Sequence, residues 1–381
     1  MQTFWQYLRC GARMLLKQIG LTLMVVLPLA SGIYAIRAEK PSSTQPIAFT
    51  QTTAPPAIDV RLINDEAEAV LAILAKRDAQ QNITDADWRR VFSSEGYVRL
   101  KQRETAMKYS FEDEEFRAFV LSDRLAAQRQ ALADTLAKWM HADMTGAGRL
   151  ALAYLPKAAR IRAKIYLVIK PRENSFVFDL KGDPAIFLYL NPTVSREKFE
   201  NTLAHELHHI GYSAGCPSPD AAREIAALPL LPQGVVKLIG SFGEGFAMLA
   251  AAGGSATHPL AASNAEERAR WDRDVANFNA DLKTVEEFFI AILENRLSRE
   301  EIQKTAFSFF GVHGPWYTVG WQMSVVIERA FGRAKLIECI CDQRKLLATY
   351  NQSEAKLRRQ SRRPLATWSD SLLNGIKRGK S

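Results

Sequence analysis

Residues 185–215 read AIFLYLNPTVSREKFENTLAHELHHIGYSAG. The stretch opens on an unbroken apolar run, Ala185 to Leu190, of the length and character of a buried strand. Asn191-Pro192 ends it, because proline offers no amide to a ladder. Ser195 is placed to cap a helix and Glu197 to sit in its first turn, where the helix dipole favours a negative charge. The helix is expected from about Arg196 to Tyr212. It contains His205-Glu206-Leu207-His208-His209. Residues four apart share a helix face, their Cβ atoms about 5–6 Å apart. Two imidazoles so placed can reach one Zn²⁺ at about 2.0–2.1 Å. Glu206, beside the first of them, can act as general base on water at such an ion.

Upstream, Ile161–Ile169 and Ser175–Leu180 read as further strands, divided by turn residues Pro171, Asn174, Gly182, Asp183 and Pro184. Together with Ala185–Leu190 they are expected to form a small antiparallel sheet. From Asn64 to about Lys157 the spacing is helical. Val70, Leu71 and Leu74 share a face, and Thr84 with Asp87 forms a capping pair ahead of Trp88 and Val91. Phe111–Met140 reads as one long amphipathic stretch whose core positions are Phe116, Phe119, Val120, Leu125, Leu132 and Leu136. The fold class is therefore α+β, mostly helical, with a small sheet next to the His-Glu-x-x-His helix.

Zinc needs a third protein ligand, with one position left for water. A third histidine six residues after His209 is absent, since Tyr212 and Gly215 occupy the diagnostic places. Glu224, Glu244, Glu266 and Glu267 are the candidate carboxylates. Glu244 stands in Gly243-Glu244-Gly245-Phe246-Ala247, heading an apolar helix. A charge in such a segment needs a reason to be buried, and a metal supplies one. Glu224 reads as an ordinary exposed helical glutamate. His208 points about 100° away from the ligands, as an outer residue or a surface one, and His141 and His258 are isolated.

His205-Glu206-Leu207-His208-His209 together with Gly243-Glu244-Gly245-Phe246-Ala247 resembles the gluzincin metallopeptidases. The Glu-Gly-Phe-Ala run is similar to the glutamate-ligand helix of the large zinc aminopeptidases. The resemblance is nearer to a poorly characterised bacterial group of zinc-dependent peptidases. It extends to Phe92-Ser93-Ser94-Glu95-Gly96-Tyr97, Arg103-Glu104, Tyr317-Thr318-Val319-Gly320 and Phe331-Gly332-Arg333, covering Ile58 to Asn351. It implies a zinc ion held by His205, His209 and Glu244, and a peptide or protein substrate. It implies that Ala185–Leu190 is an edge strand on which extended substrate adds. It also implies an oxyanion donor, Tyr317 or His313, from the Gly/Pro-broken loop GVHGPWYTVG.

The rest of the chain frames this core. Of 381 residues, 47% are hydrophobic and 24% charged, which excludes a disordered, collagen-like or polytopic membrane chain. The net charge of +9 includes Arg9, Arg13, Lys17 and Arg37 at the N-terminus, so the body is only modestly basic and no nucleic-acid partner is expected. The uncharged run Ile19–Ile36 behind a basic flank reads as an export signal or a membrane anchor. Either way the body is exported, periplasmic or anchored at the inner membrane facing outward. The expected organisation is 1–38 signal or anchor, 39–57 flexible linker, 58–157 helical region, 158–352 zinc peptidase-like core, and 353–381 basic solvated tail. Cys216 could pair with either Cys339 or Cys341 after export, and the odd number leaves at least one thiol; the disulfide state is left open. Oligomeric state is left open. So are two other functions for the same site: a zinc hydrolase on a non-peptide amide or ester, and a non-catalytic helical binding protein with a relic metal site.

Overall fold

A computed structural model describes residues 57–180, 182–311, 314–358 and 364–377. The proposed signal or anchor and nearly all of the linker lie outside them. The chain enters on strand β1 (Ile58–Ile63). Helices α1 (Asp65–Asp78), α2 (Asp85–Phe92), α3 (Glu95–Ala106), α4 (Asp113–Val120), α5 (Asp123–Ala126), α6 (Arg129–Met140) and α7 (Met144–Leu152) follow. Strands β2 (Ile161–Val168), β3 (Phe176–Phe178) and β4 (Ala185–Tyr189) lead into α8 (Arg196–Gly215). Then come α9 (Pro219–Ala226), α10 (Leu230–Ile239), a 3₁₀ turn (Gly240–Phe242) and α11 (Gly243–Ala251). The chain continues through α12 (Ala265–Ala276), α13 (Phe278–Leu293), α14 (Arg299–Ser308), α15 (Pro315–Phe331), α16 (Arg333–Cys341), α17 (Gln343–Leu357) and α18 (Asp370–Lys377). The α+β class, mostly helical with a small sheet, is the observed one.

The sheet differs from the expected antiparallel one. Its order is β1-β2-β4-β3. β1 runs parallel to β2, and β2 parallel to β4; only β3 with β4 is antiparallel. β2 and β4 are apolar throughout most of their length because they are covered on both faces. Ile165, Leu167, Ile186 and Leu188 face the core shared with α1, α7 and α8. Tyr166, Val168, Phe176 and Phe187 face Leu100 of α3. Ala185–Leu190 is therefore not an edge strand: β4 lies between β2 and β3. The edges are β1 and the short β3.

Three other expectations need correction. The region 58–157 opens with a strand rather than being wholly helical. Phe111–Met140 is broken twice, and Ser122 caps the short α5 by accepting from the Leu125 amide at 3.3 Å. The C-terminal stretch is not a free tail where it is described. Trp368, Leu372 and Ile376 are buried in the helical core, and the Asn351 side chain bonds the Trp368 backbone from both ends, at 2.7 and 3.0 Å.

Two large cores share the molecule, beside the small cluster around Leu100. One joins the sheet to α1–α8; the other is built from α10–α18. The seam between them runs along α8 and α11. Ala251 of α11 belongs to the first core, Phe246 and Leu249 to the second, and Tyr212 of α8 packs against both. Leu230–Ala251, long and apolar enough to span a membrane, is 78% buried across its most apolar window, which is how an internal helix of a folded body looks.

Candidate metal centre

The Ser195 hydroxyl accepts from the Lys198 amide at 3.2 Å and starts α8, with Glu197 in the first turn. This sets the phase of the helix. His205 and His209 then fall on one face, and their Nε2 atoms lie 3.0 Å apart. Glu244, in the first turn of α11, brings Oε2 to 3.2 Å from His205 Nε2 and 3.3 Å from His209 Nε2. Asn201, one turn before His205, donates to the Ala251 carbonyl at 3.2 Å and ties the far end of α11 to α8.

Donors at the corners of a tetrahedron about 2.05 Å from its centre are about 3.3 Å apart. The triangle of two imidazole nitrogens and one carboxylate oxygen has nearly these sides. These three residues form the group able to hold a metal ion among the described residues. The donor set of nitrogen and oxygen suits zinc. His205 Nδ1 is buried without a hydrogen-bond partner.

The electrostatics of the centre are those of a buried cluster. Burial would raise the Glu244 carboxyl, but His209 and His205 together hold it well below the usual carboxylate range. Burial would lower His209, and the Glu244 charge overrides it and raises the imidazole. Glu206 is also buried, and burial raises its carboxyl against the pull of the two histidines. It makes no hydrogen bond or ion pair to any described residue, which leaves the carboxylate available to a ligand. His208 is buried rather than at the surface; burial pushes it down to about 3, so its ring is neutral.

Tyr317 stands in the first turn of α15 and not in the preceding loop. Its hydroxyl is buried and makes no well-formed hydrogen bond. Burial first, then the charges of Glu244 and Glu206, raises it well above an ordinary phenol, so it stays a donor. His313 lies outside the described residues. The other carboxylates lie elsewhere: Glu224 pairs with Arg344, Glu267 pairs with Lys198 at 2.6 Å, and Glu266 is exposed. Cys216 pairs with Cys341, and Cys339 is the buried free thiol. Two glycines that shape the centre, Gly245 and Gly320, escaped the sequence reading as such. Each is adjacent or near to a candidate, Glu244 and Tyr317 respectively, and that proximity was the available signal.

A fold with a helical two-histidine pair and a convergent glutamate defines a protein with a group able to hold a metal ion at the seam of two cores. Residues 71–358, more than half of the chain, match the family described as "Putative zinc dependent peptidase (DUF5700)". The chain belongs to that family, and the resemblance to zinc-dependent peptidases is borne out. No curated protein and no solved structure matches it.

Proposed function

We propose that this protein is a zinc-dependent peptide-bond hydrolase of gluzincin type, working outside the cytoplasm. The observation that carries the reading is the convergence of His205, His209 and Glu244 donor atoms within 3.0–3.3 Å of one another, with Glu206 beside them and free of partners. His205, His209 and Glu244 would hold the ion. When bound, zinc supplies Lewis-acid chemistry, polarising a carbonyl and lowering the pKa of water. Glu206 takes the proton from the attacking water and passes it to the leaving amine. Tyr317 donates its hydroxyl proton in a hydrogen bond to the oxygen that gains charge at the scissile carbonyl. Such a donor acts best in a buried setting, where no water competes. The Cys216–Cys341 disulfide supports an exported body, since disulfides persist in oxidising compartments.

The test is zinc content of the purified chain together with cleavage of a quenched peptide library. About one zinc per chain and cleavage abolished by Glu206→Gln are expected. Metal bound with ester or small-amide turnover, and no peptide cleavage, would replace the substrate class while keeping the centre.

A further inference from the structure

His205, His209, Tyr212 and the capping Cys216 form one stripe on α8. At about 100° per residue they fall within roughly 60° of one another. The first two are the candidate ligands, and the last two reach across the seam between the cores. Cys216 is bonded to Cys341 at the end of α16. The Gln343 amide, at the start of α17, donates to the Tyr212 hydroxyl. Gln343 is nearly buried and its side chain also lies against Gly240, where an added Cβ would be 3.9 Å away. Gly240 opens the turn that delivers Glu244 four residues later. One side chain thus touches both the ligand stripe of α8 and the approach to the third ligand. α17 packs in turn on α15, the helix of Tyr317.

We propose that Tyr212, Gln343 and the Cys216–Cys341 disulfide form a clamp that positions the two halves of the metal centre. Zinc affinity then depends on oxidation of that disulfide. The inference rests on the metal reading of His205, His209 and Glu244. Without the clamp, α8 and α11 remain packed through Asn201 and Ala251, but the end of α8 nearest His209 is no longer tied to α16 and α17. A trialkylphosphine opens the bridge. The phosphine attacks one sulfur and expels the other as thiolate. Water then supplies the oxygen of the phosphine oxide, and two thiols result. Cys339, buried in the second core, takes no part.

The experiment uses the full-length oxidised protein. Zinc affinity is measured by competition with a chromophoric chelator, and the Co²⁺-loaded protein gives a visible spectrum that reports ligand geometry. After phosphine reduction the zinc dissociation constant should rise roughly 10–100-fold, the range typical of lost outer-shell support. The Co²⁺ bands should shift while helical circular dichroism stays unchanged. Cys216→Ser with Cys341→Ser should reproduce this, and Cys339→Ser should not. Tyr212→Phe, with the disulfide intact, should weaken zinc by roughly twofold to tenfold, the worth of one hydrogen bond. It decides the question alone if the reduced chain unfolds. Affinity and spectrum unchanged in Tyr212→Phe and in every folded form without the disulfide overturn the clamp and leave the metal reading standing. Absence of zinc binding by the oxidised wild type overturns both.

Discussion

Gly245 of α11 and Gly320 of α15 meet backbone to backbone. A Cβ on Gly245 would lie 2.0 Å from the Trp321 amide nitrogen, and one on Gly320 would lie 2.5 Å from the Phe242 carbonyl oxygen. Neither neighbour is a flexible side chain that can swing away. The contact lets two helices cross closely enough for Glu244, one residue before Gly245, to share a buried space with Tyr317, three residues before Gly320.

Gly245→Ala should therefore destabilise the fold by about 3 kcal/mol or more, at the upper end of overpacking costs, and should weaken zinc binding as the helices part. Gly243→Ala is the control. Its added Cβ meets nothing within 4 Å, and alanine is favoured over glycine in a helix by up to about 1 kcal/mol. Urea midpoints of the two variants should move in opposite directions, or the second should not move at all. Equal loss in both would show that the crossing is not the constraint.

His205→Ala, His209→Ala and Glu244→Ala should each abolish stoichiometric zinc by metal analysis, since two remaining protein ligands make a weak site. Glu224→Ala should keep it, because that side chain is more than half exposed and engaged with Arg344. Zinc retained by Glu244→Ala and lost by Glu224→Ala would move the third ligand.

Glu206→Gln should keep zinc and lose about 10²–10⁴-fold in turnover, the typical worth of a general base. Tyr317→Phe should lower kcat with little effect on KM, because its bond forms only as charge develops. Steady-state kinetics on the best library peptide separates the two. Wild-type kcat in Tyr317→Phe would pass the oxyanion role to His313.

Glu66 gives a pH dependence unrelated to catalysis. Its carboxyl is fully buried on α1 and accepts the Ile169 amide at 2.9 Å. Burial, the largest influence, pushes it up to about 8; the Ile169 amide and Lys170 pull downward and Asp65 upward. The folded state then holds a proton that the unfolded chain releases near its ordinary value of 4.5. The stability linked to this proton is complete below pH 4.5, falls as pH rises, and is gone above about 8. Urea unfolding should show a loss on the order of a few kcal/mol across that window. Glu66→Gln should flatten the profile there, and an unchanged profile would assign the dependence to other groups.

The helix of His205 and His209 was legible because everything that specifies it is local. Asn-Pro stops a strand, Ser195 caps, and the ligand spacing matches the helical repeat. Thr84 and Asp87 were legible for the same reason, and the Asp87 carboxylate does accept the Thr84 amide at 2.8 Å. Glu244 stood out as a charge among apolar neighbours. What escaped was non-local. β1 pairs with β2 about a hundred residues later, and nothing in Ile58–Ile63 announces a parallel partner. The placement of β4 inside the sheet follows from β1 and β2 lying on its far side, which periodicity does not encode. The meeting of Gly245 with Gly320 and of Tyr212 with Gln343 likewise depends on how separate helices dock.

Trp368 and Leu372 fill the core that carries Glu244 and Tyr317, although they lie far beyond Glu244 along the chain. Chains fold from the N-terminus as they emerge, so the half bearing His205 and His209 can form while the half bearing Glu244 is still open. Two histidines without the carboxylate make a weak site. Assembly of the centre, and with it any hydrolytic capacity, thus waits on closure of the second core.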